Sequence, residues 1–247
     1  MLARLRRTSI PLLGAALLAF AAPLSATWSI VAVDTRTGLV VIASATCVSA
    51  EGLRTRGGLK GIQAVVVPGV GVAAAQAGVD GTRANQMLIF QEMQKGTDPD
   101  VILRMLSEDP RFQSRQFGIV DLQGRTAGFS GAGNGYASLG MQGEVTGEGI
   151  FYAIQGNILE SDLVVLEAVE AFLAEEGTVL DRVMAGMEAA DHAIGEGHSD
   201  GEYSLFIDVD DENIRADEDA NPVETLRMRF DAWKSGGGEA ALGLSGM

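Results

Sequence analysis

The chain has 247 residues with 18 basic and 33 acidic side chains, a formal charge of −15 and a single cysteine, Cys47. That length allows one domain or two small ones, and the acid excess argues against nucleic acid and anionic membrane as partners, whose phosphates would be repelled. One cysteine excludes an intrachain disulfide, so stability has to come from a packed core, which a chain of this size can bury.

Residues 1–26 read as an export signal: Arg4, Arg6 and Arg7 precede an apolar run, 10–22, and a small-residue stretch follows. The run is 13 residues long, short of the roughly 20 that span a bilayer, so no stable membrane insertion is expected once the signal is gone. Ser9 and Ile10 fit a twin-arginine signal poorly, which favours ordinary secretion to the periplasm or beyond. Two cleavage sites compete. Cutting after Ala21 uses an A-x-A site and leaves a frayed tail; cutting after Ala26, just past the helix-breaking Pro23, leaves Thr27 with a free α-amine. Losing three arginines leaves 15 basic against 33 acidic residues, a formal charge of −18.

Residues 27–33 and 39–48 read as a β-hairpin around a turn at 34–38, and 49–60 as a Gly- and charge-rich loop. Strands at 62–67 and 70–77 meet at Pro68-Gly69. A helix over 82–95 presents Ala84, Met87, Leu88 and Met93; the next starts at Asp98-Pro99 and buries Val101, Ile102, Met105 and Leu106. Strands at 116–121 and 126–130 flank a Gln123-Gly124 turn, a glycine-rich loop covers 131–140, and 150–155 is again a strand. The helix 161–175 shows Leu163, Leu166, Val169 and Leu173. The one from Thr178 carries a capping pair, Thr178 and Asp181, buries Leu180, Val183, Met184 and Met187, and stops at Gly195. A strand at 203–209, an acidic loop at 208–219 and a helix from Asn221-Pro222 with Leu226, Phe230 and Trp233 inward complete a domain over 27–235, with 236–247 as a disordered tail. Antiparallel hairpins alternating with helix pairs predict an α+β fold, a four-layer αββα sandwich of two antiparallel sheets, with a β-sandwich carrying appended helices as the alternative.

TWSIVAVDTRTG (27–38), GVGVAAAQA (69–77), RQFGIVDLQGRTAGFSG (115–131), YAIQGNIL (152–159) and NPVETLRMRFDAW (221–233) resemble the bacterial family called domain of unknown function 1028. The resemblance covers nearly all of the chain after the signal. It implies an Ntn-hydrolase-like αββα sandwich and leaves the substrate open, since a fold does not fix a function. Two stretches depart from the common pattern: Thr46-Cys47, where many members have a basic and an aromatic residue, and GHSDGEYS (197–204).

The chemistry implied by that resemblance uses the first residue's side chain as nucleophile and its own α-amine, pKa near ~8, as base. Thr27 becomes that residue if the signal is cut after Ala26; otherwise it is only a β-forming strand starter. Ser44 is the candidate to orient it, or a small residue on a packed strand. Lys60 could lower the amine's pKa, or be solvated. Gln76, Asn134, Gln155 and Asn157, beside glycines or at strand ends, are candidate substrate-binding or oxyanion amides, or else pin loops.

Other signals are weak. His192 and His198 lack a third ligand, so no metal is expected. Residues 131–135 lack the context of a nucleotide loop, and no cofactor is expected. Asn213 stands where a calcium loop needs glycine, and Cys47 between apolar neighbours reads as a buried thiol. The expectation is an exported N-terminal-threonine hydrolase of amide or related acyl bonds in a small molecule or short peptide. The alternative is a non-catalytic, envelope-associated binding protein. A homo-oligomer is compatible with either.

Overall fold

The computed structural model describes residues 26–48, 53, 55, 57–78, 80–194, 204–209, 212–217 and 221–242. The segment before Ala26, expected to be an export signal, lies outside them, as do the expected helix stop at Gly195 and most of the 197–204 stretch.

The strands are β1 (Thr27–Asp34), β2 (Leu39–Thr46), β3 (Ala64–Val67), β4 (Gly71–Ala77), β5 (Arg115–Asp121), β6 (Thr126–Ser130), β7 (Ala137–Val145), β8 (Ile150–Leu159), β9 (Ser204–Val209) and β10 (Glu212–Asp217). The helices are α1 (Gly58–Gln63), α2 (Ala84–Gln94), α3 (Pro99–Leu106), α4 (Leu163–Ala174), α5 (Val179–Ile194), α6 (Pro222–Ser235) and α7 (Gly238–Ala241). Six strands form one sheet in the order β10-β9-β2-β1-β8-β7, and four form a second in the order β3-β4-β5-β6. Every pairing is antiparallel. No described helix is long and apolar enough to cross a membrane.

Three apolar clusters separate four layers. Alternate residues of β1, Trp28, Ile30 and Ala32, pack with Tyr152 and Ile154 of β8 against Phe172 of α4, Met187 of α5 and Phe230 of α6. The intervening residues, Val31 and Val33, face Val72 and Ala74 of β4 and Val120 of β5 across the gap between the sheets. Phe117 and Ile119 of β5 point outward onto Ile89 and Met93 of α2 and Ile102 and Leu106 of α3. The period-2 alternation of β1, apolar on both faces, is what a strand covered on both sides requires.

Helix ends follow their sequence signals. Asp98 accepts from the Asp100 N–H with Pro99 in the first turn. Thr178 and Asp181 cap α5 reciprocally: the Thr178 N–H donates to Asp181 Oδ2 at 2.9 Å, and the Asp181 N–H to Thr178 Oγ1 at 3.4 Å.

Several elements differ from expectation. A short helix, α1, replaces the first part of the expected strand at 62–67, and packing of Leu59 into the inter-sheet cluster outweighs its glycines. In α2 the buried residues are Asn85, Gln86, Ile89 and Met93, while Met87 is exposed. The two polar ones are buried because the Asn85 amide donates to Asp109 and that of Gln86 to the Ile62 carbonyl. Met105 of α3 is exposed as well. In α4 the buried face is Val164, Val165, Ala168, Val169 and Phe172, and Leu163, Leu166 and Leu173 face outward. That helix carries two apolar stripes, and the one that includes Phe172 packs with Tyr152 of β8 and Met187 of α5. Strand β7 begins inside the expected glycine-rich loop. Its glycines are the condition for pairing, since a Cβ on Gly143 would stand 2.7 Å from the Tyr152 hydroxyl of β8. Strand β10 occupies part of the expected acidic loop, and β8 runs on to Leu159. Within the expected tail lies α7, whose Glu239 pairs with Lys234 at 3.1 Å; residues 243–247 are outside the described set.

Candidate functional site

The space between the sheets divides in two. One end is the apolar cluster around Val31, Val72 and Val120. At the other, the same strand faces turn polar: Thr27 and Ser29 of β1, Ser44 and Thr46 of β2, Gln155 and Asn157 of β8, and Gln76 and Gln116 of β4 and β5. Register aligns them. Thr27 stands opposite Thr46 on one side and Asn157 on the other, Ser29 opposite Ser44 and Gln155, and Gln76 opposite Gln116. All but half-buried Thr27 are buried, so their polar groups need partners within the protein.

Gln76 is the hub. Its Oε1 accepts from the Ser29 hydroxyl at 2.6 Å and from Gln63 Nε2 at 2.5 Å. Its Nε2 donates to Gln116 Oε1 at 2.7 Å and Asn157 Oδ1 at 3.1 Å, and lies 3.5 Å from the Thr27 carbonyl. Ser29 also accepts from Gln155 Nε2 at 2.6 Å. Gln116 Nε2 continues the network to the Gly156 carbonyl at 2.8 Å and Ser130 Oγ at 2.9 Å. The sheets approach closely here: a Cβ on Gly118 of β5 would overlap the Gln155 amide.

Thr27 is at the mouth of this layer. Its Oγ1 shares a hydrogen bond of 2.9 Å with Thr46 Oγ1, and the preceding carbonyl, of Ala26, accepts from the Cys47 N–H at 3.0 Å. Both hydroxyls open onto a cleft of about 270 Å³. Its other polar lining groups are Gln63 and Gln76. The apolar wall is Val48, Leu53, Leu59 and Ile62 with Ala75 and Ala77. Helix α1 contributes Leu59, Ile62 and Gln63. Ala77 sits at φ 71°, a left-handed conformation unusual for a residue with a Cβ, where β4 ends at the cleft.

The candidates from sequence are therefore partly gathered. Thr27 and Gln76 line the cleft, and Gln155 and Asn157 lie in the network behind it. Ser44 is one rung deeper than Thr46 on the same strand face, fully buried, with no hydrogen-bond partner for its hydroxyl. Lys60 is on α1 but is not among the described lining residues. Asn134 is away from the cleft: its Nδ2 donates to the Arg115 carbonyl at 2.6 Å, and its carbonyl accepts from Ile158, the bulged residue of β8, at 3.0 Å. It pins a loop. Gln63, Ser29 and Gln116 were not singled out from sequence, and Thr46 was named only as a departure from the family pattern. The alternation of TWSIVAVD and LVVIASAT, which puts Thr27, Ser29, Ser44 and Thr46 on one sheet face, was the signal available for Ser29 and Thr46.

A larger cavity, of about 470 Å³, lies at the opposite end of β1, around Asp34, Glu148, Asp181 and Lys234. Most of its ionic groups are paired. Lys234 holds Asp181 at 2.6 Å, Arg182 holds Glu148 at 2.8 Å and Arg36 approaches Asp34 at 3.4 Å. Burial pushes the Asp181 carboxyl up, but hydrogen bonds from Lys234 and Thr178 outweigh it and leave the pKa below the ordinary value. The Thr178 hydroxyl donates to Asp181 Oδ2 at 2.8 Å, as part of the cap of α5. Among the described residues no group of three His, Cys, Asp or Glu side chains could hold a metal ion.

Beside the polar layer, Arg115 is buried against Asp109 at 2.8 Å and donates to the Gly78 carbonyl. Burial acts to raise the Asp109 pKa; donors from Asn85, Arg111 and Arg115 overcome this and bring it to about 2.

Residues 27–228 match the model of DUF1028, a family of unknown function. Among curated proteins none matches the chain. Among solved structures, the crystal structure of protein SPO2555 from Silicibacter pomeroyi, assigned to the same family model, is similar with a TM-score of 0.65. The two are 24% identical over 85% of this chain and 90% of that one, a likeness of fold.

Proposed function

The chain belongs to the DUF1028 family of unknown function, and from the geometry of its cleft we propose that it is an exported N-terminal-threonine hydrolase of amide or related acyl bonds. The observation that carries the reading is the place of Thr27. It is the first residue of a central strand, its hydroxyl opens onto a cleft, and no charged side chain is among the described lining residues to serve as base. The α-amine of Thr27 would fill that role, standing where the Ala26–Thr27 amide nitrogen now stands between β2 and β8. The helix–sheet–sheet–helix order supports an Ntn-hydrolase-like sandwich.

In this reading the amine takes the proton of Oγ1 as the oxygen attacks the substrate carbonyl. The proton passes to the leaving amine as the C–N bond breaks, and water hydrolyses the resulting ester, restoring the threonine. Thr46 would hold Oγ1 in place. The developing oxyanion would draw on polar groups at the cleft, Thr46, Gln63 and Gln76 being the described side chains there. The substrate is a small molecule or short peptide met in the periplasm or outside the cell.

The test is amide hydrolysis by protein that begins at Thr27. Activity should vanish in Thr27→Ala and after α-amine acetylation, and persist in part in Thr27→Ser. Turnover unaffected by both treatments refutes the mechanism. One observation favours a second reading, a binding protein: the Gln76 amide hydrogens already point to Gln116 and Asn157. On that reading Thr27→Ala leaves ligand binding intact and no substrate is turned over.

A further inference from the structure

We infer that the cleft beside Thr27 selects an uncharged, aliphatic acyl group, with Leu59 and Ile62 of helix α1 as its specificity-determining residues. The inference rests on the hydrolase reading for the word acyl, and on the cleft alone for the apolar, uncharged character of the group. The chain carries 51 charged side chains, 18 basic and 33 acidic, yet none stands among the described residues lining the space next to the Thr27 and Thr46 hydroxyls.

The arrangement is polarised. Four polar residues, Thr27, Thr46, Gln63 and Gln76, stand where the β1–β2 edge meets the amide network. The rest of the described wall is Leu59, Ile62, Leu53, Val48 and two alanines. A carbonyl presented to Thr27 therefore meets hydrogen-bonding groups, while the chain attached to it meets hydrocarbon. A carboxylate or ammonium carried on that chain would be stripped of water opposite the described aliphatic side chains, which cannot pair with it. The volume, about 270 Å³, is that of roughly nine waters, enough for an acyl chain of several carbons and too small for a folded peptide. Leu59 is buried and belongs to the inter-sheet core, so it forms the fixed floor. Ile62 is half-buried and lines the cleft without being part of the fully buried set, which makes it the residue to change.

Each methylene added to the acyl chain should improve recognition about fourfold until the cleft is full. The experiment uses protein beginning at Thr27 and its Thr27→Ala variant, titrated by NMR with acetamide, butanamide and hexanamide, and with adipamate, which carries a terminal carboxylate at similar length. Expected are saturable shifts at cleft residues, tightening about fourfold per methylene in both proteins, with none for adipamate. Ile62→Arg, checked for folding by circular dichroism, should weaken hexanamide by tenfold or more and admit adipamate. Equal or better binding of adipamate by the unaltered cleft, or no saturable binding of any amide, overturns the inference. The same amides offered as p-nitroanilides separate the two readings. Hexanamide binding without turnover leaves the cleft's preference standing and removes the hydrolase; turnover that favours charged acyl groups does the reverse.

Discussion

Replacing Gln76 with leucine tests whether the polar layer between the sheets holds this end of the molecule together. The Gln76 amide accepts from Ser29 and Gln63 and donates to Gln116 and Asn157, at 2.5 to 3.1 Å. Ser29 keeps a partner in Gln155. The groups of Gln63, Gln116 and Asn157 that now face Gln76 would lose it, each at about 1–3 kcal/mol when buried. Against this stands the apolar surface that leucine buries, about 1.5–3 kcal/mol. The net expectation is a loss of about 3 kcal/mol, read by urea unfolding as a lower midpoint at unchanged m-value. The side chain is nearly isosteric, so the loss reports on hydrogen bonding and not on a cavity. A loss below about 1 kcal/mol would refute the reasoning, because it would mean the surrounding amides find other partners without cost.

Ser44→Ala should behave in the opposite way. Its hydroxyl is buried and unpartnered, so removal is expected to leave stability unchanged or raise it by up to about 1 kcal/mol in the same assay. Loss of hydrolysis at unchanged stability would then mark Ser44 as a positioning residue. Gly118→Ala puts a methyl group onto the buried Gln155 amide and should cost about 1–3 kcal/mol, measured as a fall in Tm. The Asp109 carboxyl, at about 2 in the folded chain against a usual 3.8, stabilises the fold above pH 4 and ceases to do so as pH falls from about 4 to about 2. Asp109→Asn should flatten that part of the acid unfolding profile by about 1–2 kcal/mol, while an unchanged profile would show that the donors from Asn85, Arg111 and Arg115 together contribute nothing.

Strands covered on both faces were readable because their residues are apolar or small at nearly every position, as in β1 and β2. Caps were readable because Asp98-Pro99 and the Thr178/Asp181 pair act within one turn. What escaped were features decided by partners distant in sequence. The two stripes of α4 satisfy the helical period equally, and only its packing against α5 and the sheet selects Val165 and Phe172 over Leu166 and Leu173. Strand β7 reads as loop because Gly140 and Gly143 lower its β-propensity, yet Gly143 lets it lie close to Tyr152 of β8. The site shows the same division. Thr27 could be named from the family resemblance and the expected cleavage after Ala26, and Gln76, Gln155 and Asn157 from strand ends and glycine neighbours. Gln63 could not, because it lies on a six-residue helix with no periodic signal, and Gln116 is connected to the layer only by the pairing of β4 with β5. Asn134 met the same local criterion as Asn157 but lies on the loop between β6 and β7, where its amide bonds backbone.

The hydrolase proposal requires that Thr27 carry a free amine, so its most direct test is the amino-terminal sequence and intact mass of the chain recovered from the exported fraction. The account predicts a protein that begins at Thr27. A chain beginning at Ala22, or one with residues 1–26 still attached, would leave that nitrogen in a peptide bond and contradict it.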